Sequence, residues 1–349
     1  MPCVAKYVQR RPAMTPSELA SSLFSSCAAG QPWDEDELNQ LIDCARTSSE
    51  GTQALFTGVV EPLCDLFHPA LAPVYAHLFA KVCARVLSLD ADGLLARYHR
   101  IRQPRRFAGP SPRRVFVLSR ITLGADVAVT SVVLDAALKR FPQSEIVFVG
   151  PGKNFELFSG HPAIRHLPLP YARRANLEDR LNAWHGLRRP LSEPRSIVLD
   201  PDSRLTQLGL LPVTGEDRYY FFESRAYGAG SEEPLPELTA RWCREVLDVD
   251  GARAFIYPRA EPAAHAHGAI TVSLGVGGNP SKLVPDPFEQ ELLSLLSATG
   301  APILIDKGAG GEESERVERA AHGNSRIRLL EGAFAPFAAA IAQSSLRRL

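Results

Sequence analysis

No apolar run in this 349-residue chain is long enough to span a bilayer, and the opening residues, MPCVAKYVQRRPAM, lack the apolar segment of a signal peptide. A cytosolic protein is expected. Net charge is also lacking: 39 acidic and 39 basic residues cancel, so no global field favours nucleic acid or an anionic membrane, and any anionic ligand must be held by a local site. Metal spacing is absent as well. Cys3, Cys27, Cys44, Cys64, Cys83 and Cys243 form no CxxC pair and read as reduced thiols. His265 and His267 have no further ligands in view and read as loop histidines, so no metal is expected.

What is present is 45% hydrophobic residues, ample for ordinary cores, in a length that suggests two or three compact units. Residues 1–108 read as an all-helical N-terminal domain. Thr15-Pro16-Ser17-Glu18 is a capping box with Pro at the first helical position, and Asp34 to Glu37 is a similar start signal. Apolar helical patterns follow at 53–67, 71–87 and 90–100. This segment carries no catalytic constellation, so packing or partner contact is its expected role. The linker from His99 to Arg114 is rich in Pro and Arg. In a charge-neutral chain one basic linker is more often solvated than bound to phosphate, and no nucleic-acid partner is expected.

From Arg114 strand and helix patterns alternate. Strands are predicted at 115–119, 145–149, 164–167, 196–199 and 219–222, before a helix at 236–247. Such alternation predicts a parallel sheet covered on both faces, here over residues 109–250. A second α/β unit, 251–349, is predicted with strands at 269–274, 302–306 and 327–330 and with helices at 287–298, 312–321 and 334–343. Three strands are too few for a complete doubly wound domain.

Four segments carry polar chemistry at strand ends, where open α/β sheets bind their ligands. Asp126 lies in the turn after the first strand and reads either as a proton acceptor for a bound hydroxyl or as a helix cap. Asp200-Pro201-Asp202-Ser203-Arg204 follows the fourth strand and reads equally as an acceptor pocket or as a turn. The loop Gly275-Val276-Gly277-Gly278-Asn279-Pro280-Ser281-Lys282 joins strand to helix, where backbone amides can hold phosphate. It fits neither the P-loop nor GxGxxG, and a plain turn is an equal reading. Lys307-Gly308-Ala309-Gly310-Gly311-Glu312-Glu313 follows the next strand, and its carboxylates also suit a helix N-terminus.

Leu123-Gly124-Ala125-Asp126-Val127, followed by Leu138-Lys139-Arg140-Phe141-Pro142, resembles the first βα unit of the heptosyltransferase family, glycosyltransferase family 9, with one inserted residue, Ala125. The resemblance implies a GT-B architecture: two Rossmann-like domains, the second incomplete here, preceded by the helical domain. It also implies inverting, metal-independent transfer from a nucleotide-diphosphate sugar to a glycan or cell-envelope acceptor, as in lipopolysaccharide biosynthesis. Asp126 is then the base. Asp200, Asp202 and Arg204 hold the acceptor. Gly275, Gly277, Gly278, Asn279, Ser281, Lys282, Gly308, Glu312 and Glu313 hold the donor, with Lys282 neutralising the diphosphate and a Glu contacting the nucleoside. No cofactor is implied beyond the donor substrate. The implied partners are the nucleotide sugar and a glycan or glycolipid acceptor, with peripheral contact at the inner membrane.

The family continues past the equivalent of Leu346 with a strand, an Asp-Ser/Thr-Gly-x-x-His motif and further βα units, whereas this sequence ends at Leu349. A C-terminally truncated member is the expectation, which leaves its turnover open. The alternative is a non-catalytic binding or scaffold protein that uses the helical domain. A third reading is another nucleotide-dependent α/β enzyme, because fold alone does not specify chemistry.

Overall fold

The computed structural model describes residues 14–171, 176–259, 266–275, 283–308, 311–332 and 334–344. The chain forms two compact units, one of residues 1–151 with 166–254 and the other of 152–165 with 255–349.

The first unit begins with α1 (Pro16–Ala28), whose expected capping box is complete: Glu18 N–H donates to the Thr15 hydroxyl, and the Glu18 carboxylate accepts from Thr15 N–H. Asp34 caps α2 (Glu35–Thr47) through the N–H groups of Asp36 and Glu37. The chain continues through α3 (Ser49–Gln53), a π-helical turn over Ala54–Val60, α4 (Glu61–Asp65), α5 (Leu71–Leu87) and α6 (Ala91–Ile101). The helical pattern expected over 53–67 is thus interrupted by a π turn and stops short of Phe67.

The α/β part follows with β1 (Arg114–Leu118), the short α7 (Leu123–Ala125), a π turn over Asp126–Thr130, α8 (Ser131–Arg140) and β2 (Glu145–Gly150). After α9 (Gly152–Phe155), which groups with the second unit, come β3 (Ile164–Pro168), α10 (Leu177–Leu191), β4 (Ser196–Asp200), β5 (Tyr219–Phe221) and α11 (Leu235–Leu247). The sheet order is β3-β2-β1-β4-β5, with β1/β2, β1/β4 and β4/β5 parallel. That order reverses direction between β1 and β4, the switch point at which doubly wound sheets open a crevice.

β1 and β4 are buried on both faces, as their continuous apolar runs require. Phe116, Leu118, Val198, Tyr219 and Phe221 share one core with Leu23, Phe56, Phe79 and Tyr98 of the helical segment. Helix and sheet also meet through polar groups. Tyr75 Oη donates to Gln207 O at 3.2 Å, and Arg97 Nη1 donates to Gly209 O at 2.6 Å with its guanidinium over the Tyr219 ring. The helical segment therefore braces the loop after β4.

In the second unit, β6 (Ile270–Val272), α12 (Phe288–Ala298), β7 (Ile303–Asp306), α13 (Glu312–Ala321), β8 (Ile327–Leu330) and α14 (Phe334–Gln343) build a parallel sheet of order β6-β7-β8. β7 alternates as a central strand should: Leu304 packs with Ala266, Ala269 and Ala340, while Ile303 and Ile305 pack with Leu293 and Val317. The architecture is α/β with one five-stranded and one three-stranded parallel sheet and a helical N-terminal region. No helix among the described residues is long and apolar enough to cross a membrane.

Candidate functional site

At the switch point the chain leaves β1 through Ser119-Arg120-Ile121, with Ile121 at φ 70°, a backbone conformation costly for a β-branched residue. Ser119 Oγ accepts from Ile121 N–H at 2.9 Å and donates to Asp126 Oδ2 at 2.7 Å. Asp126 Oδ1 accepts from Arg120 N–H at 2.7 Å and from the Thr130 hydroxyl at 2.6 Å. The carboxylate expected to be presented by the turn is instead fully buried. It is not an N-cap either, because its backbone donor lies before the helix. Ser131 N–H bonds to Asp126 O, so the next turn is π-helical and holds one residue more than an α turn.

The loop after β4 is joined directly to this turn, since Ser203 Oγ donates to Ser119 O at 2.5 Å. Asp200 is buried and accepts from Ser203 N–H, the Thr206 hydroxyl and Tyr219 Oη. Burial nevertheless pushes its carboxyl up to about 6. Asp202, at φ 64°, turns its side chain towards β5. Its Oδ2 accepts from Ser224 Oγ at 3.0 Å and Arg225 Nε at 3.2 Å, and lies 4.0 Å from Arg120 Nη2. Its Oδ1 is buried with no hydrogen-bond partner among the described residues. Arg204 is partly exposed and reaches Asp65 at 3.4 Å. The structure therefore brings Asp126, Asp200, Asp202 and Arg204 to one end of one sheet.

Four residues at this end escaped the sequence reading: Arg120, Glu223, Ser224 and Arg225. Glu223-Ser224-Arg225 leaves β5 as Asp200-Pro201-Asp202 leaves β4, so polar residues immediately after an apolar strand were the signal. Arg225 is buried over the Tyr75 ring; burial would lower its pKa, but Asp202 and other neighbours raise it overall. Burial lowers the Arg120 pKa. Glu223 pairs with Tyr98 Oη and, at 2.7 Å, with Arg102, and burial pushes its carboxyl up to about 7. Two guanidinium groups, Arg120 and Arg225, thus flank Asp202 at the switch point, and Arg204 follows it in the same loop.

In the second unit, Gly275 follows β6 and Gly308 follows β7. A methyl group on Gly275 would stand 2.6 Å from Glu313 Oε1, and one on Gly308, at φ 86°, would stand 2.7 Å from Glu313 Cγ and Cδ. Glu313 therefore fills the space between the two strand ends, which only glycines leave open. Glu312 is exposed, so of the two candidates Glu313 is the one the fold seats there. Asp306 Oδ1 accepts from Gly308 N–H, and Asp306 Oδ2 accepts from Ser273 Oγ, fixing both loops. Gly277, Gly278, Asn279, Ser281 and Lys282 lie outside the described residues, as does His265.

The structure is similar to Escherichia coli heptosyltransferase WaaC with ADP-2-deoxy-2-fluoro heptose, at 18% identity and a TM-score of 0.47 over 66% of this chain and 80% of that one. It is also similar to a glycosyl transferase family 9 protein of Veillonella parvula, at 16% identity and a TM-score of 0.49 over 67% and 74% of the two chains. A third similarity is to E. coli ADP-heptose LPS heptosyltransferase II, at 17% identity and a TM-score of 0.42 over 66% and 77%. No family model matches the chain, and no curated protein matches its sequence.

Proposed function

We propose that the chain is a glycosyltransferase-like protein of the cytoplasm that binds a nucleotide-diphosphate sugar on its second sheet and a glycan or cell-envelope acceptor on its first. The observation that carries the reading is the seat of Glu313 between Gly275 and Gly308 at the ends of adjacent parallel strands. A carboxylate so placed can accept hydrogen bonds from both hydroxyls of a ribose, and the glycines give it the room to sit there. The resemblance of the Gly-rich loop gives Lys282 the diphosphate.

On the first sheet, the two guanidinium groups beside Asp202, with Arg204 in the same loop, suit an acceptor that carries carboxylate or phosphate, and Asp202 Oδ1 suits its hydroxyl. Asp126 is assigned the proton of the attacking hydroxyl, which requires that hydroxyl to displace Ser119 or Thr130 from the carboxylate. Inverting transfer then needs no metal. The test is a transfer assay with a panel of nucleotide sugars, comparing wild type with Asp126→Asn. Loss of transfer in a folded variant supports the base assignment, whereas an active Asp126→Asn protein removes it.

A further inference from the structure

At the amino-terminal edge of β4 and β5 lies a cavity of about 460 Å3, within the size range of small-molecule pockets. It is on the opposite edge of the sheet from the switch-point cluster, about 15 Å away along strands of this length. Phe107 and Tyr220 line its apolar wall, with their ring centroids 5.9 Å apart. Four arginines also line it, Arg105, Arg106, Arg195 and Arg218.

The charges are not balanced. Arg106 pairs with Asp248 at 2.7 Å, and Arg218 lies 3.9 Å from Asp217. Arg105 stacks over the Tyr220 ring and donates only to the neutral carbonyls of Glu216 and Asp217. Arg195 is exposed, and among the described residues it has no ion-pair partner. Its backbone is held at φ 58°, with its carbonyl accepting from Arg113 N–H at 2.7 Å, so the side chain leaves a fixed turn. Among the described residues neither Arg105 nor Arg195 therefore makes an ion pair, although Arg105 acts on the Glu216 carboxylate from further off, and Asp217 is the acidic residue in a lining that holds four arginines.

We propose that this cavity binds an amphiphilic anion, a flat aromatic body bearing one sulfonate, carboxylate or phosphate. Phe107 and Tyr220 hold the ring, and Arg105 and Arg195 hold the charge. The site is separate from the proposed transfer residues and stands whether or not that function is correct.

The test is a fluorescence titration of the full chain with 8-anilinonaphthalene-1-sulfonate, with far-ultraviolet circular dichroism as the check of folding. One saturable site is expected, about tenfold weaker in Arg195→Glu and unchanged in Arg189→Glu, an equally exposed charge reversal on α10 away from the cavity. Ser111→Trp, on the exposed rim, should block the site without altering charge. The uncharged N-phenyl-1-naphthylamine should bind more weakly than the sulfonate to wild type. Equal binding to Arg195→Glu and wild type, equal weakening in Arg189→Glu, or binding unaffected by Ser111→Trp would each overturn the proposal.

Discussion

Asp126 shows how much a single carboxylate can be asked to do. Three donors converge on it from Ser119, Arg120 and Thr130 in a site closed to solvent. Asn offers one oxygen where Asp offers two, so Asp126→Asn should leave one donor without an acceptor and cost about 1–3 kcal/mol in urea unfolding, as well as removing transfer. A variant as stable as wild type would show that the carboxylate is not the tie described. Gly308 makes the complementary case. Gly308→Ala places a methyl group against Glu313 at a positive φ, and should cost on the order of 1–3 kcal/mol while weakening nucleotide binding. Unchanged binding in a folded Gly308→Ala protein would detach Glu313 from the ligand.

At the scale of elements, α6 is joined to the segment after β5 by Glu223 with Tyr98 and Arg102, and β4 is joined to β5 by Asp200 with Tyr219. Burial raises both carboxyls above their ordinary values of 4.5 and 3.8, to about 7 for Glu223 and about 6 for Asp200. The folded protein then holds protons that the unfolded chain has released. The stability this contributes is complete below about pH 4 and is lost as pH rises through about 6 and then about 7. The melting temperature should accordingly fall between pH 5 and pH 8, and the fall should be shallower in Glu223→Gln. A melting temperature that rises over this interval would contradict that account. The strands themselves were legible, because buried parallel strands read as short apolar runs between turn residues. The π turns at Ala54–Val60 and Asp126–Thr130 were not, since over so few residues a shift of apolar phase by one position does not stand out from ordinary irregularity.

Across the whole molecule, legibility followed the range of the contact. The capping box, the strand positions and the polar strand ends depend on neighbours in sequence and could be read. That the helical segment and the first sheet share a core could not, because Tyr75, Arg97 and Tyr98 meet residues more than a hundred positions away. A net charge of zero likewise concealed the cluster of four arginines at the amino-terminal end of β4 and β5. The most direct test of the donor-site reading is calorimetric titration of the full chain with nucleoside diphosphates and nucleotide sugars, alongside Glu313→Ala and Lys282→Ala. Saturable binding to wild type, weakened at least tenfold in both variants, is the predicted result. Absence of binding by the folded wild type, or binding that neither variant weakens, would contradict it.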